Sequence, residues 1–280
     1  MSPRTLALTA LALIAFAANS VLTRLALGAR QIDAASFTAI RLTVGALMLL
    51  ILAARDLRTR MRPDHRLAPL ALFAYAAPFS FAYLRIGAAV GALVLFGIVQ
   101  LTMISYGLLH GERLSPVAWL GTALAAGGLL ILTLPSVSRP DPIGVMLMIV
   151  AGVAWAAYSI AGKGVANPIA ANARNFLWSS PLALLLLALP LLPKQATLPG
   201  ITLALISGAI TSGLGYAAWY RAVRQLTVTQ ASVAQLTVPA IAALAAGTLL
   251  HETITTRLIV STIAVLSGVT LVLFARTARR

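Results

Sequence analysis

The chain has 280 residues, of which 60% are hydrophobic and only 10% charged, and its mean hydropathy is +0.95. A soluble domain carries about 25% charged residues, so this composition excludes a soluble globular protein and indicates an integral membrane protein. The net charge is +15, but the basic residues are scattered between apolar runs, which argues against nucleic acid as a partner. No cysteine is present, so disulfides and thiol chemistry are excluded.

The first twenty residues allow two interpretations. A basic residue, an apolar stretch and the small-x-small pattern Ala15-Phe16-Ala17 are typical of a signal peptide. The alternative is a retained first spanning helix over residues 5–24. The internal repeat described below favours the retained helix, because the equivalent stretch lies in the middle of the chain.

Ten apolar runs follow one another along the chain, each about long enough to cross a bilayer as a helix. They are 5–24, 34–54, 67–85, 88–109, 115–134, 142–162, 173–192, 199–220, 229–250 and 255–275. The third and fourth runs are separated only by Arg85-Ile86-Gly87, which predicts a tight turn. Prolines within three of the runs are candidate hinges, and they are Pro78, Pro181 and Pro239.

Two phrases of the sequence recur at nearly constant spacing. "LLHGE" at 108–112 returns as "LLHE" at 249–252, an offset of 140 between the glutamates. "FAANSVLTR" likewise lies over "WAAYSIAGK" at an offset of 139, which makes Phe16 and Trp155 equivalent positions. The chain therefore contains two copies of one five-helix unit, and we predict domains over residues 1–136 and 137–280.

An odd number of helices per copy turns the second copy upside down in the membrane. The sequence thus predicts an all-α integral membrane protein with ten transmembrane helices in two inverted five-helix repeats around a central cavity, an architecture typical of secondary transporters. With both termini in the cytoplasm, 14 of the 21 Lys and Arg residues lie inside and six outside, while Arg41 falls within a run. The excess of positive charge inside predicts this orientation.

Several segments resemble the drug/metabolite transporter superfamily, and within it the ten-helix EamA-type transporters. They are "LLHGERLSPVAWLGTALAAGGLLIL", "LLHETITTRLIVSTIAVLSGVTLVL", "ARDLR" and "AAWYRAV", while "VAWAAYS" at 153–159 is similar to bacterial amino-acid exporters, including those for aromatic amino acids. The resemblance implies an inner-membrane exporter of small metabolites, with amino acids, including aromatic and large apolar ones, as the leading class. Its partners are the substrate and the lipid bilayer; no oligomer is required, and no cofactor is expected. The alternatives are an exporter of drugs or other metabolites and, in another class, a membrane scaffold or lipid-binding protein without transport.

Titratable residues give no sign of catalysis or of metal binding. The three histidines lie in loops or at run ends, so we expect neither an enzyme nor a metal site. The repeated glutamates, Glu112 and Glu252, are either coupling carboxylates or caps of the following helices, and their places at span ends favour caps. All six acidic residues avoid mid-span positions, so the sequence predicts transport without proton coupling.

Polar and aromatic residues within the runs are the candidate substrate site, because polar groups in lipid are costly and usually face the bundle interior. A site between two inverted repeats draws on both of them near the midplane. The mid-span candidates are Asn19, Tyr75, Phe79, Phe96 and Gln100 in the first repeat and Trp155, Ser159, Tyr216 and Gln235 in the second. Hydrogen bonding between helices is the favoured alternative for Ser159 and an equally open one for the three amides.

Other intramembrane residues carry weaker signals. Arg41, about eight residues into the second run, either extends its charge outward to the interface or binds a substrate carboxylate, and the first is favoured. Four aromatic residues near run ends are expected to face lipid or the interface, namely Tyr83, Trp119, Trp219 and Tyr220. Tyr75, Phe79 and Tyr83 recur every four residues, which predicts one aromatic stripe.

Overall fold

The structure is a computed structural model that describes residues 2–54, 66–86, 88–133, 141–188, 194–249, 256–275 and 278–279. Its helices are α1 Pro3–Thr23, α2 Ala34–Ala53, α3 Ala68–Ala82, α4 Ala88–Leu109, α5 Pro116–Thr133, α6 Pro142–Ala161, α7 Pro168–Leu187, α8 Leu198–Ile206, α9 Gly215–Val223, α10 Val228–Ala234, α11 Thr237–Leu249 and α12 Thr256–Phe274. The π-helical segment Arg24–Gly28 extends α1, a second π-helical segment, Ser207–Leu214, joins α8 to α9, and Gly162–Gly164 forms a 3-10 turn. Strands β1 Glu112–Arg113 and β2 Ala278–Arg279 form a short antiparallel pair.

The helices follow the apolar runs of the sequence closely, and each run overlies one helix or two consecutive ones. Among the described residues, four helical stretches are long and apolar enough to cross a membrane: Pro3–Gly28, Ala34–Ala53, Pro142–Gly164 and Leu198–Val223. The first of them packs against α9 and α11 inside the bundle. Packing of this kind is expected of a helix that stays in the folded protein and is not expected of a signal peptide.

Side-chain caps fix where several helices begin. Asp33 Oδ1 accepts the backbone N–H of Ser36 at 2.8 Å at the start of α2, because the first N–H groups of a helix have no partner within it. At the start of α5, Ser115 Oγ accepts the N–H of Ala118 at 3.2 Å; the side chain of Glu112 is not described, so its expected cap stays a prediction. Glu112 itself lies in β1, opposite Arg279, and Glu252 lies outside the described residues.

The ninth run, in which Pro239 was a candidate hinge, is broken between α10 and α11. Pro239 has no N–H to donate to the carbonyl of Gln235 four residues earlier, which weakens the regular helix at that point. The N–H groups of Gln235, Leu236 and Val238 bond three residues back instead, to Ser232, Val233 and Gln235. The break places the side chain of Gln235 at an interruption of the helix.

Two ends of the bundle can be told apart by their loop contacts. The terminal face carries the start of α1 and the β1–β2 pair, and there Arg224 Nη1 donates to the carbonyl of Ala166 at 3.2 Å. On the opposite face the α1–α2 loop pairs with the α7–α8 loop. There the N–H of Asp33 donates to the Gln195 carbonyl at 2.7 Å, and the N–H of Thr197 donates to the Gln31 carbonyl at 2.8 Å.

A surface ion pair also closes the opposite face. Arg85 Nη1, after α3, lies 3.0 Å from Asp141 Oδ2, which precedes α6. The pKa of Asp141 is lowered, first by the backbone N–H of Gly144, then by Arg85 and the N–H of Ile143. The carboxylate is therefore held in its charged form, as an N-cap of α6 and as a partner of Arg85.

Small residues allow close contact between α5 and α12. A Cβ added to Gly121 of α5 would lie 2.7 Å from the Gly268 carbonyl oxygen of α12, and one added to Gly268 would lie 2.5 Å from the Gly121 oxygen. The backbones of the two helices therefore touch directly, as small residues permit in membrane bundles. Further extensive pairs join α2 with α7 and α3 with α6.

Candidate functional site

Aromatic rings from both predicted repeats meet in the middle of the bundle. Trp155 of α6 lies edge-on to Phe16 of α1, with ring centroids 5.1 Å apart. It also lies 4.8 Å from the ring of Tyr75 on α3 and 4.8 Å from the ring of Tyr216 on α9. The equivalent positions Phe16 and Trp155 are thus in direct contact at the centre of the molecule.

Gln235 fixes the orientation of the Trp155 ring. The indole Nε1–H donates to Gln235 Oε1, and Gln235 Nε2 in turn donates to the carbonyl of Ala231 at 3.1 Å and lies 3.4 Å from Met103 Sδ. The buried amide therefore connects α6, α4 and the broken helix of α10 and α11. A buried indole N–H requires such a partner.

Asn19 forms a second polar connection between the repeats. Its Oδ1 accepts hydrogen bonds from Ser207 Oγ at 2.7 Å and Thr211 Oγ1 at 3.1 Å. Both donors belong to the π-helical segment Ser207–Leu214, and π-helical turns occur frequently at functional sites. Ser207 was not among the residues predicted from the sequence. The cluster of small and polar residues from 207 to 213 is the pattern that could have indicated it.

Most of the predicted residues surround one small cavity. Its lining includes five of the nine candidates, and the full set is Phe16, Asn19, Ser20, Tyr75, Phe79, Leu95, Phe96 and Trp155. The cavity volume is about 10 Å³, room for about one water molecule, whereas a cavity that binds benzene measures about 150 Å³. The site is therefore closed around its own side chains in this conformation.

The remaining four candidates lie around this cavity without lining it. Tyr216 and Gln235 touch Trp155, as described above. Ser159 instead accepts the indole N–H of Trp219 at 3.1 Å, and the backbone carbonyl of Gln100 accepts from Ser232 at 3.3 Å. Ser159 thus has the helix-packing role that was the favoured alternative for it.

Arg41 does not extend outward, and that expectation is wrong. Its side chain is 0% exposed, Nε donates to Ser212 Oγ at 2.8 Å, and Nη2 donates to the hydroxyl of Tyr216 at 2.5 Å and to that of Tyr75 at 3.3 Å. A Cβ on Gly208 would lie 2.7 Å from the Arg41 carbonyl oxygen. The π-helical segment can therefore approach α2 closely enough for Ser212 to reach the guanidinium.

Three of the four aromatics expected at the lipid interface are buried instead. Trp219 and Tyr220 are fully buried, because the Trp219 N–H bonds to Ser159 and the Tyr220 ring packs against Tyr158 at 4.8 Å. Tyr83 is buried edge-on against Phe79 at 4.7 Å. Trp119, at 51% exposed, faces outward as expected.

The predicted aromatic stripe of α3 is confirmed by its ring contacts. Tyr75 and Phe79 have ring centroids 5.3 Å apart, and Phe79 continues the line to Tyr83. Residues four apart on a helix share one face, and this face forms one wall of the small cavity.

A larger groove of about 700 Å³ lies nearer the terminal face. It runs between α3, α4, α6 and α10, and its polar lining residues are Thr102, Tyr106, His110 and Lys163. Along α3, groove residues 67–71 precede the cavity residues Tyr75 and Phe79, so the groove and the small cavity occupy successive levels of the bundle.

The groups around the cavity can hydrogen-bond a ligand and pack against it. Hydroxyls, amides, aromatic faces and one guanidinium surround the cavity. Among the described residues, His, Asp and Glu side chains do not gather into a group that could hold a metal ion.

The chain matches a family profile and two curated relatives. The profile of the EamA-like transporter family matches residues 4–134 and 142–274. "Uncharacterized protein PA1977" of Pseudomonas aeruginosa is 48% identical over 99% of this chain and 96% of its own length. An "Uncharacterized transporter" of Archaeoglobus fulgidus is 30% identical over 59% of this chain and 60% of its own length.

A solved structure described as "Crystal structure of protein" has the same fold, with a TM-score of 0.78 and 19% identity. The match covers 95% of this chain and 98% of that one. Because the family profile covers almost the whole chain, the chain belongs to the EamA-like transporter family, and it is a multi-pass membrane transporter.

Proposed function

We propose that this transporter exports amino acids, including aromatic and large apolar ones, across the bacterial inner membrane by alternating access of the central cavity. The observation that carries the proposal is the meeting of Phe16, Tyr75, Trp155 and Tyr216 at the centre of the bundle. Aromatic walls with a few hydrogen-bonding groups suit a zwitterion that has an apolar side chain.

The architecture proposed for this function has ten transmembrane helices in two inverted repeats, residues 1–136 and 137–280. Two observations support it: the family profile matches two consecutive stretches of similar length, and one pair of helix contacts has the counterpart that the proposed symmetry requires. If α1 corresponds to α6, and α3 to α8 and α9 together, then the α3–α6 contact has its counterpart in the contact of α1 with α9. The broken helix of α10 and α11 has the form in which transporters place substrate sites.

The two ends of the bundle differ in a way that supports alternating access. Loop contacts and the Arg85–Asp141 pair hold the described part of the opposite face together, while the 700 Å³ groove lies toward the terminal face. With both termini in the cytoplasm, the groove lies on the cytoplasmic side of the closed small cavity. We expect one chain to suffice for transport.

Single cysteines introduced at Ala29 and Ala54 test the orientation, since the native chain has none. Both positions are exposed and they flank α2, Ala29 on the opposite face and Ala54 on the terminal face. A membrane-impermeant maleimide added to whole cells should label Ala29→Cys and spare Ala54→Cys. The reverse pattern contradicts the proposed orientation.

Counterflow in proteoliposomes tests the transport itself and separates it from the alternatives. Vesicles loaded with unlabelled phenylalanine should accumulate labelled phenylalanine only when the protein is present. A membrane scaffold or lipid-binding protein gives no exchange with any solute. An exporter of drugs or other metabolites gives exchange with those compounds but with none of the twenty amino acids.

A further inference from the structure

Arg41 presents an electrostatic problem that its neighbours do not solve. The guanidinium is buried, and a guanidinium cannot lose its charge inside a protein. Its contacts among the described residues are hydroxyl groups and the faces of Tyr75 and Phe79, whose ring centroids lie 5.4 and 5.5 Å from Cζ. Hydroxyls and rings carry no full negative charge, so the buried cation has no counter-ion within the part of the chain that the structure describes.

The described carboxylates are committed elsewhere. Asp33, eight residues earlier in the chain and so about 12 Å away along the helix axis, bonds the N–H groups of Ser36 and Gln195. Asp141 pairs with Arg85 on the opposite face. A buried charge without a partner is strongly unfavourable, which makes Arg41 unsuited to a purely structural role.

One nitrogen of the guanidinium is also available to a ligand. Nη1 is buried and has no hydrogen-bond partner among the described residues, whereas Nε and Nη2 are held by Ser212, Tyr216 and Tyr75. Those bonds fix the plane of the guanidinium. A planar, fixed guanidinium with an open N–H edge is the group that recognises carboxylates in proteins.

The guanidinium lies directly behind the wall of the small cavity. Tyr75 and Phe79 line the cavity on one side and contact Arg41 on the other. Tyr216 bonds to Arg41 through its hydroxyl and touches Trp155 with its ring. A ligand that enters between these rings reaches the guanidinium with its charged end and the Trp155 region with its apolar end.

We propose that Arg41, together with the hydroxyls of Tyr75 and Tyr216, is the binding site for the carboxylate of the transported substrate. The assignment rests on the proposed amino-acid transport and narrows it, because a cavity with an uncompensated positive charge favours anions and zwitterions over simple organic cations. The ammonium group of the substrate then lies on the aromatic side, where ring faces attract cations.

Binding of L-phenylalanine and of phenethylamine to the purified full-length protein tests the assignment. The two ligands share the ring and the ammonium group, and only phenylalanine has a carboxylate. Arg41→Met removes the charge while filling the space with an apolar chain. Arg24→Met is the matched control, because Arg24 is exposed and lies outside the site.

We expect the wild-type protein and Arg24→Met to bind phenylalanine more tightly than phenethylamine. Arg41→Met should weaken phenylalanine binding by about tenfold or more, the effect of losing a charge-assisted hydrogen bond, and should leave phenethylamine unchanged or tighter. Unaltered phenylalanine binding, or an equal loss for both ligands, would overturn the assignment.

If Arg41→Met does not fold, Arg41→Lys decides the question by the same comparison. Lysine keeps the positive charge but lacks the planar N–H edge, so phenylalanine binding should weaken while phenethylamine binding stays the same, and unaltered phenylalanine binding would again overturn the assignment. Wild-type counterflow gives an independent result: failure to exchange any amino acid refutes the proposed transport, whereas the ligand pair tests Arg41 alone.

Discussion

Trp155→Ala is the substitution that probes the proposed cavity most sharply. The indole touches the rings of Phe16, Tyr75 and Tyr216 and donates to Gln235. If a substrate ring enters the cavity, it packs against this indole. Removing the indole therefore affects substrates with large apolar side chains more than small ones.

The magnitude follows from two separate effects. Truncating a buried Trp costs about 3–5 kcal/mol of folding stability, which lowers the amount of active protein for every substrate alike. Loss of one ring contact with the substrate costs about 1 kcal/mol beyond the area term, and with that area the expected discrimination is about tenfold. The ratio of phenylalanine to alanine exchange isolates the second effect, because the active fraction cancels.

Counterflow of both amino acids should be measured for the wild type, Trp155→Ala and two controls. Trp219→Ala is the matched control, since Trp219 is equally buried but bonds to Ser159 and does not line the cavity. Trp119→Ala removes an exposed Trp and should be near neutral. The phenylalanine-to-alanine ratio should fall only for Trp155→Ala; an equal fall for Trp219→Ala would mean that the cavity is misplaced.

Three further outcomes follow from the geometry. Asn19→Ala removes the buried oxygen that accepts the Ser207 and Thr211 hydroxyls, and it should lower the free energy of unfolding by about 1–3 kcal/mol, measured by thermal unfolding in detergent. Thr202→Ala, at an exposed site, should stay within about 0.5 kcal/mol. Equal effects would contradict the role of Asn19. The lowered pKa of Asp141 means that its charged form is favoured on folding. The contribution of Asp141 to folding stability is then complete above about pH 4 and is lost only as the pH falls through the lower pKa of the folded state. The loss of stability caused by Asp141→Asn should therefore be the same at every pH from 5 to 8, and a trend with pH in that range counts against the ion pair. An imposed pH gradient should drive no uphill amino-acid movement, because the described acidic residues lie in loops or at helix ends; accumulation against the gradient would refute this.

The positions of the helices can be predicted from the sequence, because a helix that spans the bilayer needs an apolar run of a certain length and the breaks between runs carry turn residues. The break at Gln235 is harder to predict. Pro239 marked it, but a proline inside an apolar run also occurs in unbroken helices, as Pro78 and Pro181 show. The π-helical segment around Ser207 has no simple sequence pattern, since its hydrogen bonding depends on how closely α2 approaches.

The sequence gives reasons for choosing the candidate residues but none for their contacts. The repeat predicts that Phe16 and Trp155 are equivalent positions, and burial of mid-span Trp and Tyr is expected because their polar groups need hydrogen-bond partners. Arg41 was misjudged because distance from a helix end permits either an outward or an inward side chain, and only the facing helices decide. The same reason explains Trp219, which lies near a run end yet points at Ser159.

The central claim is that the cavity between the repeats carries amino acids across the membrane. Counterflow of each of the twenty labelled amino acids, in proteoliposomes that contain the purified wild-type protein, tests it most directly. Phenylalanine and other large apolar amino acids should accumulate well above protein-free vesicles, and small polar ones should accumulate less. Exchange of none of the twenty, by protein that is folded and inserted, would contradict the claim.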